Sequence, residues 1–459
     1  VSLPSTLQVR AGTELPVPAN PAVTPIYQTA AYEFESWEAA RDIFALRKVG
    51  NLYSRTANPT VGVLERRIAA LDGGVGALAT ASGQAAVTVA LLTLAAPGGH
   101  VVASSQLYGG TIDLLTDTFE DLGLEATLVA PDDPDAWRAA VRPSTRAFLV
   151  ESVGNPTASV PDLQVLADHA HAAGVPLVVD NTIATPALLR PGDFGADVVV
   201  YSATKQLGGH GGSLGGLVVD LGSFDYGAEP EKWPQFTRPF RRLGDVVLWE
   251  QFGQYSSAFL VHARVKLVHD LGPSLSPFNA QQIAQGIETL SLRVTRQTQT
   301  ARDLALRLAD DPRVPRVHHP AVTGNPSAAN AERFLPQGTG GVFAFDLASG
   351  EDAIPALVDA LRTFSLVANI GDTRSLVIHP ATTTHSHLDD DQLAQAGFSR
   401  ATVRLSIGLE DVEDLAADLE QALTAAVGPA VPTAGTAIPA VPTRPAEPAS
   451  AIGPHSKEH

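Results

Sequence analysis

The chain has 459 residues, 44% of them hydrophobic and 17% charged, enough for one large domain with a smaller one beside it and a sizeable buried core. A formal net charge of −18 with no Lys/Arg-rich run argues against a nucleic-acid or anionic-membrane partner. Without a charged-then-apolar leader or an apolar stretch of about 18 residues, the chain is expected in the cytoplasm. Cysteine and methionine are both absent, which excludes disulfides, thiolate nucleophiles and cysteine-held metals.

Residues 1–58 carry many prolines and polar side chains around one short helical stretch at 37–46, and read as an arm. From 59 to 273, short β-branched runs at 100–103, 125–130, 145–150, 176–179 and 197–201 alternate with helical stretches at 84–95, 111–122 and 162–173. That βαβ alternation predicts a mostly parallel sheet covered by helices. The pattern changes at 274. A long helical stretch at 280–309, strands near 342–347 and 402–407, and helices at 352–362 and 411–426 predict a smaller α+β domain over 274–426. Residues 427–459, with seven prolines and seven alanines, have too little apolar surface to offset their ordering entropy and read as a disordered tail.

The segment 175–216 carries the chemistry. One apolar strand ends in Asp180, and a second ends in Ser202-Ala203-Thr204-Lys205. In an open parallel sheet the crevice lies at the carboxyl ends of the strands, so both groups are presented there. An aspartate in that place can keep a pyridine nitrogen protonated, and a lysine beside it can hold an aldehyde cofactor covalently. Ser202 and Thr204 offer hydroxyls to a phosphate, and the glycines after Lys205 let the backbone pass close by. Taken singly, a strand-end aspartate reads as a turn cap and a lysine as a solvated charge. Together with S-x-T-K and a glycine run, they read as a site.

The segment resembles the lysine signature of the cysteine/methionine-metabolism group of pyridoxal-phosphate enzymes. That group includes cystathionine γ-synthases, γ- and β-lyases, methionine γ-lyases and O-acylhomoserine sulfhydrylases. The resemblance runs from about 25 to 425 and brings in further motifs. Asn51-Leu52-Tyr53-Ser54-Arg55, followed by Asn58-Pro59-Thr60, resembles the arm whose tyrosine and arginine reach the cofactor phosphate of a neighbouring subunit. Ser82-Gly83-Gln84 precedes an Ala-rich helix whose N-terminus suits an anion, and the resemblance assigns it to the phosphate. Leu107-Tyr108-Gly109-Gly110-Thr111 resembles the segment whose tyrosine stacks on the pyridoxal ring and helps move protons at the γ-position. Glu151-Ser152 with Asn155-Pro156-Thr157 resembles the ring-side loop, with Asn155 facing the phenolic oxygen. Asn369-Ile370-Gly371-Asp372 and Val403-Arg404-Leu405-Ser406 resemble the pair that receives the substrate α-carboxylate, for which Arg404 is a natural two-pronged partner. Two positions depart from the pattern. Gly212 stands where relatives place a hydroxyl residue, and Gln206 replaces an aromatic or aliphatic one.

The resemblance implies an aspartate-aminotransferase-like (fold type I) pyridoxal-phosphate domain with a smaller α+β C-terminal domain, assembled as a homotetramer of dimers that share active sites. Within the group, 236–252, 275–280 and 286–292 resemble the longer O-acetylhomoserine sulfhydrylases, whereas Gly110 stands where methionine γ-lyases usually carry cysteine. The implied reaction replaces the γ-acetoxy group of O-acetylhomoserine by sulfide, with Lys205 moving protons and Asp180 holding the ring nitrogen. The alternatives on the same scaffold are a cystathionine γ-synthase, a γ-lyase and an O-succinylhomoserine sulfhydrylase.

Overall fold

The computed structural model describes residues 2–13, 21–45, 47–48, 50–253 and 256–430. The expected tail at 427–459 therefore lies almost wholly outside the described residues. Its first residue instead completes the helix Val412–Val427.

Seven strands, β1 (Gly76–Thr80), β2 (His100–Ser104), β3 (Glu125–Val129), β4 (Thr145–Glu151), β5 (Leu177–Asp180), β6 (Val198–Ser202) and β7 (Gly216–Asp220), form one sheet in the order β1-β7-β6-β5-β4-β2-β3. The β3-β2-β4-β5-β6 run is parallel, and β7 is antiparallel to both of its neighbours, β6 and β1. All five runs read from the sequence are strands. β1 and β7 escaped that reading for different reasons. Gly-Ala-Leu-Ala-Thr carries no β-branched residue before its last, and Gly-Leu-Val-Val-Asp follows directly on the glycine-rich segment, so neither stands out by propensity.

Alternation along the strands divides the core in two. Val198 and Val200 of β6 join the cluster on one face, Val199 and Tyr201 the cluster on the other. The helix Leu163–Ala172 covers the first face, its N-terminus capped by the Asp162 side chain on the Val165 N–H. The helix Pro59–Asp72 covers the second. Its cap, Asn58, also donates to the Tyr27 carbonyl (2.8 Å), while Thr60 donates to the Pro25 carbonyl (2.7 Å). The Asn-Pro-Thr triplet thus both starts a helix and ties the arm to it.

The short hairpin of β8 (Pro239–Phe240) and β9 (Val246–Val247) precedes a second sheet, β10 (Arg316–His318), β11 (Val342–Asp346), β12 (Ser365–Leu366), β13 (Leu376–Ile378) and β14 (Thr402–Ser406), ordered β10-β11-β14-β13-β12. The stretch expected as one long helix is two, Pro277–Glu288 and Leu290–Ala309, broken at Thr289 where φ is −113° and ψ is 14°. The first of the two, through Ala280, Ile283, Ala284 and Ile287, packs with Val199, Tyr201 and Leu217 of the large sheet.

Candidate active site

Three neighbouring strands of the large sheet end together: β4 at Glu151, β5 at Asp180 and β6 at Ser202. Behind them, on the opposite face, the next or preceding residues form a buried chain. The Ser152 hydroxyl donates to Asn181 Oδ1 (2.8 Å), Asn181 Nδ2 donates to the Tyr201 hydroxyl (3.1 Å), and that hydroxyl donates to Asp72 (2.8 Å). Burial raises the Asp72 carboxyl to about 7, opposed by the Tyr201 hydrogen bond. This network fixes the strand tips in register from the rear.

Beyond β6 the chain makes a turn, with Lys205 N–H on the Ser202 carbonyl and Gly209 N–H on the Lys205 carbonyl (2.7 Å). Arg293, a buried residue that no sequence motif singled out, holds this turn by donating to the Gln206 carbonyl (2.8 Å) and the Gly286 carbonyl (2.6 Å). A Cβ on Gly286 would lie 2.2 Å from the Gly208 carbonyl oxygen, so only glycine lets helix and turn approach this closely.

Lys205 opens into a cavity of about 220 Å³. Its amine donates to Asn369 Oδ1 at 2.6 Å. Burial, with a smaller contribution from Arg404, pulls the amine down to about 8. Asp180 lines the same cavity; burial raises its carboxyl, opposed by the Thr182 N–H on Oδ1 (2.9 Å). The Thr182 hydroxyl accepts the Ser202 N–H (2.8 Å), so a residue unmarked in the sequence joins two of the expected ones.

At the opposite wall the helix Gly83–Leu94 points its N-terminus inward. Ser82 Oγ takes the Ala85 N–H, while the Gly83 and Gln84 N–H groups stand in the first turn, where a helix supplies no acceptor of its own. A Cβ on Gly83 would lie 2.5 Å from Ser202 Cβ, so glycine is what allows helix and strand tip to meet. The Thr204 hydroxyl, bonded to Gly215, lines the cavity nearby.

β14 carries the last wall. Val403 and Leu405 face the core, and the alternation turns Arg404 the other way, into the cavity. Arg404 Nη1 donates to Asn155 Oδ1 (3.1 Å) and Nη2 to the Asn369 carbonyl (3.0 Å), while its buried Nε has no partner among the described residues. Burial lowers its guanidinium to about 10, opposed by Tyr108. Tyr108 closes the mouth, 44% exposed, and a Cβ on Gly110 would lie 2.7 Å from its ring.

Lys205, Asp180, Tyr108, Asn155, Ser82, Gly83, Gln84, Ser202, Thr204, Asn369 and Arg404 thus meet around one cavity. Tyr53 and Arg55 do not. They sit exposed on the arm, the Arg55 guanidinium 5.3 Å from the Tyr53 ring centroid. Of the two departures, Gly212 has open space at its Cβ position, with no closer atom than Gln282 Oε1 at 4.0 Å, and Gln206 is buried against Gly371.

The donors suit a planar cofactor with an anionic end. Unused N–H groups at a helix N-terminus fit a phosphate, a buried acid fits a protonated ring nitrogen, and a near-neutral amine fits an aldehyde. Fold and site define a pyridoxal-phosphate enzyme of fold type I.

Residues 5–424 match the family of Cys/Met metabolism PLP-dependent enzymes, and the chain belongs to it. It is 43% identical to an O-acetyl-L-homoserine sulfhydrylase of Leptospira meyeri over 92% of this chain and 96% of the relative. It is 45% identical to the Corynebacterium glutamicum protein of that name, with the same coverage. A solved structure from Campylobacter jejuni, assigned as an O-acetylhomoserine (thiol)-lyase and bearing N'-pyridoxyl-lysine-5'-monophosphate, superposes with a TM-score of 0.87 at 34% identity, over 92% of this chain and 99% of that one.

Proposed function

We propose that the protein catalyses replacement of the γ-acetoxy group of O-acetyl-L-homoserine by sulfide, giving homocysteine and acetate, with methanethiol as a second acceptor. The observation that carries this reading is the meeting of Lys205, Asp180, Tyr108 and Arg404 around one small cavity. The similarity to O-acetyl-L-homoserine sulfhydrylases along nearly their whole length supports it.

Pyridoxal phosphate, when bound, supplies the electron sink that makes the bonds at Cα and Cβ of an amino acid labile. The chain's residues do the rest. Lys205 would hold the cofactor, and its amine, lowered to about 8, is suited to take and return the α-proton. Asp180 would keep the ring nitrogen protonated. Ser82, Gly83, Gln84, Ser202 and Thr204 would hold the phosphate, completed by Tyr53 and Arg55 of a neighbouring subunit. Asn155 would lie beside the phenolic oxygen, and Tyr108 would lie against the ring and move protons toward Cγ. Arg404, with Asn369, receives the α-carboxylate through its planar fork.

The acceptor follows from charge. Cysteine would bring a second carboxylate and ammonium into the cavity, and a buried charge without a partner is costly. Among the described residues lining the cavity, the cationic ones are Lys205 and Arg404. Of the three arginines near 236–252 that could receive a second carboxylate, Arg238 and Arg242 are paired with Glu231 and Asp270, and Arg241 is exposed and lies outside the cavity lining. A competition between equal concentrations of sulfide and cysteine is expected to give homocysteine over cystathionine by tenfold or more, roughly the penalty of one unpaired charged group. Predominant cystathionine would favour a γ-synthase.

The same reading makes the protein a cytoplasmic homotetramer of dimers with shared sites. No helix among the described residues is long and apolar enough to cross a membrane. It divides the chain into an arm to 58, a cofactor domain from 59, and a C-terminal domain up to 426. In this division the cofactor domain runs to 273 and the C-terminal domain from 274, whose first helix, Pro277–Glu288, packs on the large sheet.

A further inference from the structure

Among the described residues lining the cavity, two are carboxylates, Asp180 and Glu151, and the proposed reaction gives a task only to the first. The two residues are register partners on adjacent parallel strands, so their side chains leave the sheet on the same face. Glu151 is 7% exposed, and burial together with the Asp180 charge raises its carboxyl well above the usual range. Such a pair opposes full ionisation, so something must repay the placement of a second acid here.

Both oxygens of Glu151 are used, and each holds a different loop. Oε1 accepts the Tyr108 N–H at 2.6 Å, in the loop that follows β2. Oε2 accepts the Asn155 N–H at 3.2 Å, in the loop that follows β4. Asn155 then accepts Nη1 of Arg404, which belongs to the other sheet. One buried side chain is therefore tied directly to the ring-side tyrosine and, through a single intermediary, to the guanidinium across the cavity. A glutamine of the same shape has one acceptor oxygen, and its amide nitrogen would face an N–H donor. One of the two loops would come loose.

We propose that Glu151 is a positioning residue that sets Tyr108 and, through Asn155, the Arg404 fork that receives the substrate α-carboxylate. The inference rests on the reading of Arg404 as the carboxylate receptor. It deepens that reading by assigning the group that holds the receptor in place.

The test uses cofactor-loaded protein and needs no turnover. L-2-Aminobutyrate has the amine and α-carboxylate of the substrate without a leaving group, and n-propylamine has the amine alone. Binding of each is read from the change in the cofactor's visible absorption band. Glu151→Gln is expected to raise the Kd of L-2-aminobutyrate about tenfold, the effect of losing one hydrogen bond to a charged group, and to leave that of n-propylamine unchanged. Asn155 also faces the cofactor, so Asn155→Ala is expected to weaken both amines but L-2-aminobutyrate the more, and the double variant to lose less than the product of the two. Melting temperatures check that each variant folds, and Asn155→Ala probes the same link if Glu151→Gln does not. Equal weakening of both amines, no weakening of either, or full multiplicativity in the double variant would overturn the proposal. Arg404→Lys separates the two readings. If it leaves L-2-aminobutyrate binding unchanged, the carboxylate assignment falls and the Glu151 proposal with it. If it weakens binding while Glu151→Gln does not, the Glu151 proposal falls alone.

Discussion

Asp180 ends a strand that is paired on both sides, to β4 and to β6, and its next residue is locked by Tyr201 and Ser152 behind the sheet. Arg55 stands on an arm held to the body at a few points, through Asn58, Thr60 and the Arg264 side chain on the Thr56 carbonyl, and it faces solvent. Both were expected at the same cofactor. The sheet edge presents its group with bonds the chain makes to itself, so the geometry is set before any ligand arrives. The backbone around Arg55 is tied to its own chain, Tyr53 bridging to Ala31 and the Ser54 N–H donating to the Ala30 carbonyl, but the Arg55 side chain faces solvent and, in the reading proposed here, gains its partner from a neighbouring subunit. In that reading one fold holds a half-site complete in its own chain and a half-site that a neighbouring subunit completes.

The sharpest way to break that contrast is to remove the anchor of the first half. Lys205→Ala is expected to abolish homocysteine formation while the helix N-terminus, Ser202 and Thr204 still retain some cofactor without a covalent link. Turnover assays and the absorbance of protein-bound cofactor after gel filtration check both parts. Near-normal turnover would take Lys205 out of the mechanism.

Next in size is Asp180→Asn. The ring nitrogen loses a charged partner while the strand keeps its ladder, so turnover should fall by about a hundredfold or more with little change in melting temperature. Unchanged turnover would show that the ring nitrogen is held elsewhere. A collapse of the melting temperature would mean that the sheet edge depends on the charge it presents.

The arm is tested by complementation. Arg55→Ala and Lys205→Ala proteins, each impaired, are unfolded together and refolded to exchange subunits. A heterodimer then contains one site with neither lesion, so the mixture should regain about a quarter of wild-type activity if sites are shared across a two-fold axis. No recovery in confirmed heterodimers would place Arg55 away from the neighbour's phosphate.

How far the site was legible in the sequence follows the same division. Lys205, Asp180, Ser202 and Thr204 stand in one short segment at the ends of apolar runs, where strand propensity and the crevice rule suffice to place them. Ser82-Gly83-Gln84 is legible as a helix start, but its destination is not. That Gly83 must be glycine appears only when Ser202 lies within 2.5 Å of its missing Cβ. Glu151 stands in the ring-side motif with no task of its own, since the two N–H donors that its carboxylate accepts come together only once the loops after β2 and β4 converge. Arg293 and Thr182 gave no signal at all, being single polar residues whose partners lie far along the chain or on another strand.

What the sequence by itself determined is the local part: the apolar runs that become strands, the caps that start helices, and the identity of the groups at the strand ends. Those depend on propensity, side-chain alternation and backbone freedom, which act over a few residues. Only the tertiary structure decided that β1 and β7 close the large sheet, that Thr289 splits the long helix, and that Arg404 reaches across from the second sheet to Asn155. These outcomes rest on packing and hydrogen bonds between segments distant in the chain, and no window of the sequence contains both partners.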